Sequence, residues 1–462
     1  MAPRKNSKTG PLSNTEVDSF MTSVGPFENK PHIAVAVSGG ADSLALTLLC
    51  NNWVKKRGGK LSAISVNHDL RKGSDDEIKQ LGEWLAVHAI EHITLNWKSK
   101  KPRNGLQDAA RIARYNLLES WCRENEVFHL LLGHHQDDQA ETFLLRLAHK
   151  SGIDGLAGMS SVIEKSHVRL LRPLLTIPKS RLYATLEALT QPWLEDPSNK
   201  NEDFERVRIR NLSPKLSELG LTREKICETA DCIAHARIHL EAEASKLLAK
   251  SCYVGSAGYV CFDAAILFSG PREILLRALT RALLCVGGGV YPPRLVKLQG
   301  LYKKMRSALK NSNGSWKGAT LAGCRILLTI SKSGAMIFLL CREERSLPES
   351  MKISDSLIAN WDNRFQLYLT GLNLTDNTNL NIQPLGRKGW SDLCREFPSI
   401  INSHVPHPVS FTLPTLVDNH GILAVPNLNY RRANMVLHGL DSIRAIFRPR
   451  QTLSGSGFSV AK

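Results

Sequence analysis

The sequence predicts an α/β fold in which a parallel sheet is followed by a helical linker and two smaller carboxyl-terminal α+β domains. In the first part of the chain, apolar β-branched runs alternate with amphipathic helical stretches, which is the pattern of parallel strands joined by helices. Beyond Leu221 the pattern changes to one long helical stripe of apolar residues, from Ile226 to Leu247. Alternating residues at 324–340 and 413–426 then predict two hairpins.

The predicted domain boundaries follow these changes of pattern. With 462 residues, the chain is long enough for two or three domains, each with its own core. We expect a flexible basic arm at 1–30, the sheet domain at 31–216, a helical domain at 222–345, a last domain at 355–440 and a tail at 441–462.

The charge balance favours a polyanionic partner. Sixty Lys and Arg residues against 43 Asp and Glu residues give a net charge of +17. Such an excess binds nucleic acid by neutralising phosphates and releasing counterions. The alternative is a surface charge that only keeps the protein in solution.

Cysteine usage and the amino terminus indicate a cytoplasmic protein. The ten cysteines are scattered and include no CxxC pair, which argues against a zinc ribbon or an iron–sulfur site. The first thirty residues lack the apolar core of a secretion signal, and no apolar run is long enough to span a membrane.

A short loop between the first strand and the first helix is the strongest candidate for a nucleotide site. Glycines let backbone N–H groups approach an anion, and the following helix points its positive end there. Ser38 and Ser43 add hydroxyl donors. Asp42 would repel a bound phosphate unless a divalent cation joined the two, which predicts Mg²⁺ together with the nucleotide. The alternative is an ordinary turn in which Asp42 and Ser43 cap the helix. The loop consists of Ser38, Gly39, Gly40, Ala41, Asp42 and Ser43.

Polar residues also follow the second predicted strand, Leu61–Val66. Open α/β sheets bind ligands just past the carboxyl ends of their strands. His68 therefore is a candidate for the nucleotide pocket, although the start of a plain loop is an equal alternative. A helix at 74–89 and a strand at 92–95 continue the α/β pattern.

Three groups of basic residues are candidates for phosphate contacts. The run at 98–103 interrupts the α/β pattern. Arg111 and Arg114 share one face of a helix predicted at 106–124. The third group is Arg206, Arg208 and Arg210. Guanidinium groups at such alternate positions repel one another unless anions lie between them. For each of the three groups the alternative is a solvated basic face.

The strand Leu130–Leu132 leads to a second group of chemically active residues, which includes His134, Asp138 and Glu141. These side chains should meet the glycine loop at the carboxyl edge of the sheet. The alternative makes Asp138 a helix N-cap and Glu141 its capping-box partner. Adjacent histidines followed by aspartates do not match the spacing of common zinc sites.

These motifs, in this order, resemble two nested families. The 38–43 loop is similar to the SGGxDS signature of the N-type ATP pyrophosphatases of the PP-loop superfamily. The stretch 134–142 narrows the resemblance to the tRNA(Ile)-lysidine synthases, and the resemblance spans residues 33 to about 214. The chain departs from that family at two positions, because Asp69 replaces the usual Gly and Val207 the usual Asn.

The resemblance implies a fold and a reaction. The fold would be a Rossmann-like parallel sheet of the adenine nucleotide alpha hydrolase type. The reaction would use ATP and Mg²⁺ to ligate L-lysine to C2 of the wobble cytidine, position 34, of a tRNA(Ile) with a CAU anticodon. It would pass through an adenylated tRNA and would switch codon reading from AUG to AUA.

The resemblance also implies roles for single residues. Asp42 would hold the metal, Asp138 and Glu141 would hold the cationic lysine, and His134 would accept a proton from its amine. ATP would lie against the 38–43 loop and His68. Two arginines, Arg114 and Arg206, would act in catalysis, and the tRNA would contact Arg111, Arg114, Arg208 and Arg210.

Two other functions remain open from the sequence alone. One is another PP-loop tRNA-modifying enzyme such as a tRNA thiolase, although that group commonly uses a CxxC pair or a metal cluster. The other is a tRNA-binding protein without catalysis, against which the intact Asp42, Asp138 and Glu141 argue. The domains at 222–345 and 355–440 are expected to contact tRNA because of their position and charge, and a homodimer is one open form of assembly.

Overall fold

The computed structural model describes residues 9–69, 73–99, 101–102, 105–195, 201–310, 316–353, 358–369, 380–432, 443–455 and 457–461. The chain forms two compact units that divide between His239 and Leu240, and the residues after Gly455 belong to the first unit. Leu70 and Arg71, which follow Asp69, lie outside the described residues, as do Lys100 and Arg103 of the basic run at 98–103 and the stretch Asp196–Asn199.

The first unit alternates strands and helices as the sequence predicts. Its helices are α1 (Asn14–Ser23), α2 (Ala41–Lys55), α3 (Ser74–Val87), α4 (Leu106–Glu124), α5 (Gln136–Ala148), α6 (Ile153–Leu156), α7 (Lys179–Ala188), α8 (Glu205–Glu218) and the start of α9 (Arg223–Ser251). Its strands are β1 (His32–Ala36), β2 (Lys60–Asn67), β3 (Glu91–Asn96), β4 (His129–Leu132), β5 (Val162–Glu164) and β6 (Arg169–Leu171).

The strands form one sheet in the order β3-β2-β1-β4-β6-β5. All neighbours are parallel except β5, which runs antiparallel to β6. Strand β1 is buried on both faces, because Ile33 and Val35 pack with α2 while Ala34 packs with Leu118 of α4. The α/β fold predicted from the sequence is confirmed. The order of strands reverses at β1: the chain adds β2 and β3 on one side of β1 and then crosses over to add β4 on the other side.

The amino-terminal segment differs from the flexible arm expected at 1–30. Helix α1 begins with a capping box in which Ser13 and Glu16 bond to each other's backbone N–H groups. Its residues Val17, Phe20 and Met21 are buried in the main core. The arm prediction is therefore wrong for Asn14–Ser23, because three apolar residues at helical spacing lie within a polar segment.

The second unit begins within α9 and is built from antiparallel sheets and helices. Its helices are α10 (Ala264–Ser269), α11 (Arg272–Gly287), α12 (Leu295–Lys310), α13 (Gly386–Glu396) and α14 (His407–Ser410). Its strands are β7 (Cys252–Gly255), β8 (Tyr259–Asp263), β9 (Ala319–Leu321), β10 (Cys324–Ile330), β11 (Met336–Arg342), β12 (Met351–Lys352), β13 (Ile358–Trp361), β14 (Phe365–Tyr368), β15 (Asn381–Pro384), β16 (Pro414–Asp418), β17 (Gly421–Val425), β18 (Tyr430–Arg431) and β19 (Arg444–Phe447).

Among the described residues these strands form the sheets β7-β8-β11-β10-β9, β12-β15-β16-β17-β18 and β13-β14-β19. Both predicted hairpins are present, as the antiparallel pairs β10–β11 and β16–β17. The two domains predicted at 222–345 and 355–440 share a hydrophobic cluster, since Leu339 and Cys341 pack together with Leu413 and Val425. No helix among the described residues is long and apolar enough to cross a membrane.

Candidate nucleotide and tRNA-modification site

The glycine loop after β1 is held in a tight turn by its own hydroxyl groups. Ser38 N–H donates to Ser43 Oγ at 3.1 Å, and Ser43 Oγ donates to the carbonyl of Gly40 at 3.1 Å. Gly39 has a φ of +83°, and a Cβ there would lie 2.5 Å from a methyl carbon of Leu194. This position requires glycine both for its backbone conformation and for the close contact.

A second glycine brings the two strand ends together. Gly133 follows β4, and a Cβ on it would lie 3.0 Å from the Cα of Ser43 and 3.1 Å from the backbone carbon of Asp42. The first turn of α2 therefore packs directly on the end of β4. As a result, the loop after β1 and the residues after β4 share one site at the reversal point of the sheet.

A cavity of about 600 Å³ opens at this point, a size suited to a nucleotide. It is lined on one side by the glycine loop and on others by the ends of β2 and β4 and by helices α3 and α4. Of the candidate residues, Ser38, Gly40, Asp42, Ser43, His68, Arg114 and His134 contribute to its walls.

His135 joins the carboxylates of the site. Its Nε2 lies 3.4 Å from Asp42 Oδ2 and 3.5 Å from Asp138 Oδ2, and its Nδ1 lies 4.0 Å from Asp137 Oδ1. Burial by itself would lower the pKa of this imidazole, but the hydrogen bond to Asp42 and the three negative charges raise it. The carboxylates thus favour the protonated form of this ring more than water does, and a positive ring here would offset the concentration of negative charge in the site.

Asp42 carries two cationic neighbours. Besides His135, Lys179 Nζ lies 3.5 Å from Asp42 Oδ2. Burial would raise the pKa of Asp42, but the hydrogen bond and charge of His135, together with Lys179, hold the pKa below its usual value. The carboxylate is therefore ionised at neutral pH. Its second oxygen, Oδ1, is buried without a hydrogen-bond partner.

Asp138 takes a different position from the helix N-cap that is one sequence interpretation. The N-cap of α5 is His135, and Asp138 is the third helical residue, whose Oδ2 accepts from the His135 backbone N–H at 3.1 Å. The carboxylate thus fixes both the backbone and, through Nε2, the ring of His135.

Glu141 is almost entirely buried and paired with an arginine. Arg210 donates through Nε to Oε1 at 2.8 Å and through Nη2 to Oε2 at 3.2 Å. This bidentate hydrogen bonding raises the pKa of Arg210, whose side chain remains about one-third exposed. The pair connects α5 to α8.

His134 faces the cavity and is surrounded by positive charge. Its pKa lies well below the usual value, first because of desolvation and then because of the charges of nearby arginines, led by Arg172. The ring is therefore neutral at physiological pH. Its Nδ1 is shielded from solvent and has no hydrogen-bond partner.

Comparisons with known proteins decide the family. The family model of the PP-loop domain matches residues 11–216. A tRNA(Ile)-lysidine synthase of Wolbachia sp. subsp. Brugia malayi is 34% identical, over 88% of this chain and 91% of that relative. The chain belongs to the tRNA(Ile)-lysidine synthase family.

Two further members support this assignment. The synthase of Rhodopseudomonas palustris is 38% identical over 65% of this chain and 88% of its own length. That of Orientia tsutsugamushi is 28% identical over 93% of this chain and 96% of its own length. The resemblance drawn from the 38–43 and 134–142 motifs is confirmed. The chain is an ATP-using, tRNA-modifying PP-loop enzyme of the lysidine synthase family, and neither a thiolase nor a non-catalytic binding protein is favoured.

The departure from the family pattern at Asp69 has a local explanation. Asp69 has a φ of +47°, in the left-handed region where glycine is favoured and Asp is among the better-tolerated residues. Its N–H donates to Asn67 Oδ1 at 2.9 Å, which supports the turn. His68, next to it, lines the cavity and packs edge-on to Trp97 with ring centroids 5.8 Å apart.

The candidate arginines lie in different environments. Arg114 lines the cavity, and its Nε is buried without a hydrogen-bond partner, whereas Arg111 is exposed. On α8, Arg206 is half-buried, and its charge contributes to the lowered pKa of His134. Arg208 is exposed and donates to a nearby backbone carbonyl.

The helical geometry of α8 separates the three arginines that the sequence places at alternate positions. Arg206 and Arg210 are four residues apart and share a face, while Arg208 points away from it. Val207, where the family usually has Asn, is buried.

The residues fit a magnesium ion that is bound mainly through its nucleotide. No cluster of three or more His, Cys, Asp or Glu side chains suited to a metal occurs in the described parts of the chain. Mg²⁺ is commonly held by one or two carboxylates together with substrate phosphates and water. The buried Asp42 Oδ1, which has no partner, is the donor that such an ion would use.

Sequence reasoning missed three residues of the site. His135 is adjacent to the chosen His134, and only the tertiary contacts distinguish their roles. Lys179 begins α7, more than a hundred residues from Asp42. Arg172 is buried and donates to the Ser160 carbonyl at 2.7 Å. Its sequence signals were its place before Pro173, which favours an extended backbone, and the resemblance of the stretch 169–175 to the family.

Proposed function

We propose that this chain ligates L-lysine to C2 of cytidine 34 in a tRNA(Ile) with a CAU anticodon. The base oxygen O2 attacks the α-phosphorus of ATP, the bond to the β-phosphate breaks, and pyrophosphate leaves. The lysine ε-amine, after losing a proton, attacks C2. The C2–O2 bond then breaks, and AMP leaves with that oxygen. The proposal depends on one observation: residues of the 38–43 loop and His134 line the same cavity in a chain of this family.

ATP is proposed to lie with its phosphates on the glycine loop and its nucleoside toward His68. The loop offers backbone N–H groups and the hydroxyl of Ser38 at the amino end of α2, whose dipole favours negative charge. Asp42 would hold Mg²⁺, which when bound supplies positive charge to the departing pyrophosphate. Lys179, beside Asp42, adds a fixed cation to the same region.

The lysine substrate is proposed to use the acidic residues of α5. Asp138 and Glu141 would attract its ammonium group, and Glu141 already holds a guanidinium through both oxygens. The lysine ammonium group, which also needs carboxylate oxygens as hydrogen-bond acceptors, would replace Arg210 at Glu141. Arg210 would then turn toward an RNA phosphate. His134 is neutral at physiological pH and so has a free nitrogen to accept a proton, although its low pKa makes it a weak base.

The tRNA is proposed to contact the exposed and half-buried arginines around the cavity. Arg111 and Arg208 would position phosphates, while Arg114 and Arg206, whose charges act on His134, would stabilise developing negative charge. The regions 222–345 and 355–440 are proposed to bind the rest of the tRNA. The proposal places the reaction in the cytoplasm, where tRNA and ATP meet; light scattering in the assay buffer will test for a homodimer.

The proposal is tested by incubating the protein with ATP, Mg²⁺, labelled lysine and a tRNA(Ile) transcript with a CAU anticodon. We expect label in the tRNA and one AMP for each lysine incorporated. A transcript whose anticodon is GAU is the matched control, because it lacks cytidine at position 34. Asp42→Asn should abolish incorporation while leaving the far-ultraviolet circular dichroism unchanged. AMP formation without lysine incorporation would reject the proposed substrate, and absence of both would reject the proposed reaction.

A further inference from the structure

The segment 152–161 is attached to the helix that carries Asp138. Gln139 Nε2 donates to the carbonyl of Met159 at 3.1 Å, and Met159 N–H donates to Gln139 Oε1 at 2.6 Å. Gly158 permits this pairing, since a Cβ there would lie 2.7 Å from Gln139 Oε1. The backbone of the segment therefore clamps a side chain of α5 at the position next to Asp138.

The same segment also holds a buried guanidinium beside His134. Arg172 Nη1 donates to the carbonyl of Ser160 at 2.7 Å, and Arg172 N–H donates to that of Ser161 at 2.8 Å. After burial, the charge of Arg172 has the largest effect among those that lower the pKa of His134. A displacement of Ser160 would therefore move a charge that acts on a residue of the cavity.

Residues 457–461, remote in sequence, bond to that segment through backbone atoms. Ser459 N–H donates to Ser160 Oγ at 2.9 Å, and Ser161 N–H donates to the carbonyl of Ser459 at 2.9 Å. Ser161 Oγ also donates to the carbonyl of Val460 at 3.2 Å. Ser160 and Ser161 are both buried, so these bonds replace solvent for their polar groups.

Phe458 extends the contact to the other end of the segment. Its ring lies 4.2 Å from the guanidinium carbon of Arg237. Arg237 in turn donates to the carbonyl of Asp154 at 3.1 Å and lies 3.4 Å from its carboxylate. The 457–461 segment thus contacts the residues that fix 152–161 at both of its ends.

We propose that the 457–461 segment is a positioning element of the catalytic site. It fixes 152–161, which in turn holds Gln139 on α5 and Arg172 beside His134. This inference rests on the proposed function, because it concerns the geometry in which that reaction occurs. Small displacements of catalytic groups reduce turnover far more than they reduce binding of a substrate that is held elsewhere. ATP, held mainly by the 38–43 loop, should therefore bind almost as well without the segment.

The test compares the full chain with a variant that lacks residues 457 onward. We expect faster amide hydrogen exchange at 157–163, about a tenfold lower kcat for lysidine formation and a KM for ATP that changes less than about twofold. Phe458→Leu should give part of the effect, and Phe458→Tyr, which keeps the ring, should restore it. Ser459→Ala is the matched control, because the bonds use the backbone of Ser459. All rates are measured well below the unfolding temperature of each variant.

The outcomes separate this inference from the proposed function. Unchanged exchange at 157–163 after the deletion overturns the inference, and so does unchanged kcat. Faster exchange with a raised KM for ATP and an unchanged kcat also overturns it. If the full chain forms no lysidine, the proposed function fails. The positioning role is then decided by exchange and ATP affinity: it holds if the deletion speeds amide exchange at 133–141 while the ATP affinity stays within about twofold, and it fails if exchange there is unchanged.

Discussion

Replacing Gly133 with Ala should separate the two halves of the site without removing any functional group. The added Cβ would lie 3.0–3.1 Å from backbone atoms of Ser43 and Asp42. An ordinary contact between carbon atoms is about 3.5 Å or more, so the first turn of α2 must move away from β4 by about 0.5 Å. Backbone cannot rotate away as a side chain can. We therefore expect about a tenfold loss of kcat/KM and about 1–3 kcal/mol lower unfolding free energy.

The assay is lysidine formation at saturating tRNA, with urea unfolding measured in parallel. Gly300→Ala in α12 is the matched control, because nothing lies within 4 Å of its added Cβ and the position is helical. That variant should be more stable by about 0.5–1 kcal/mol and fully active. If Gly133→Ala keeps activity within about twofold of the unaltered chain, the close packing of α2 on β4 does not set the geometry of the site.

Three further results are expected. Arg210→Met should cost about 1–2 kcal/mol of stability, because it leaves the buried Glu141 carboxylate unpaired, and combining it with Glu141→Gln should recover part of the loss in a double-mutant cycle. The pKa of Glu16, lowered from 4.5 to about 2 mainly by its hydrogen bond from Arg181, predicts stability that is complete above about pH 5 and is lost as the pH falls toward 2. Glu16→Gln should reduce by about 1 kcal/mol the unfolding free energy that is lost as the pH falls from about 5 toward 2, as measured in acid titrations followed by circular dichroism. An unchanged dependence of the unfolding free energy on pH would contradict the assignment to Glu16. In the second unit, Asp362→Ala should lower unfolding free energy by about 3–5 kcal/mol, since it strips two buried guanidinium groups of their shared carboxylate; a loss below about 1 kcal/mol would show that solvent compensates them.

The sequence predicted most of the first unit because its local and global signals agree. Helix α4 has the predicted bounds, Leu106–Glu124, since its apolar residues recur at helical spacing between turn signals. The hairpin at Cys324–Arg342 was equally readable from its alternation. By contrast, the basic stretch 386–390 contains two glycines and yet begins helix α13, and Trp390 packs edge-on to His407 with ring centroids 5.8 Å apart. Packing against the core overrode the two glycines there.

The residue types of the site were readable, but their pairing was not. A phosphate-sized loop, an aspartate beside it and a second polar strand end can be recognised from spacing, because parallel strands deliver their carboxyl ends to one edge. The partners of these residues come from distant segments. Nothing in the sequence near Glu141 indicates that Arg210 binds it, or that Lys179 lies 3.5 Å from Asp42.

The sequence by itself therefore determined the fold class, the family and the residues of the glycine loop, since each can be recognised from patterns within single strands, helices and motifs. Only the tertiary structure decided that the pKa values of the two adjacent histidines shift in opposite directions. His134 lies among arginines and is neutral, whereas His135 lies among carboxylates and favours its protonated form. The physical reason is that a pKa depends on desolvation and on charges within a few ångströms, and the chain brings those charges together only when it folds.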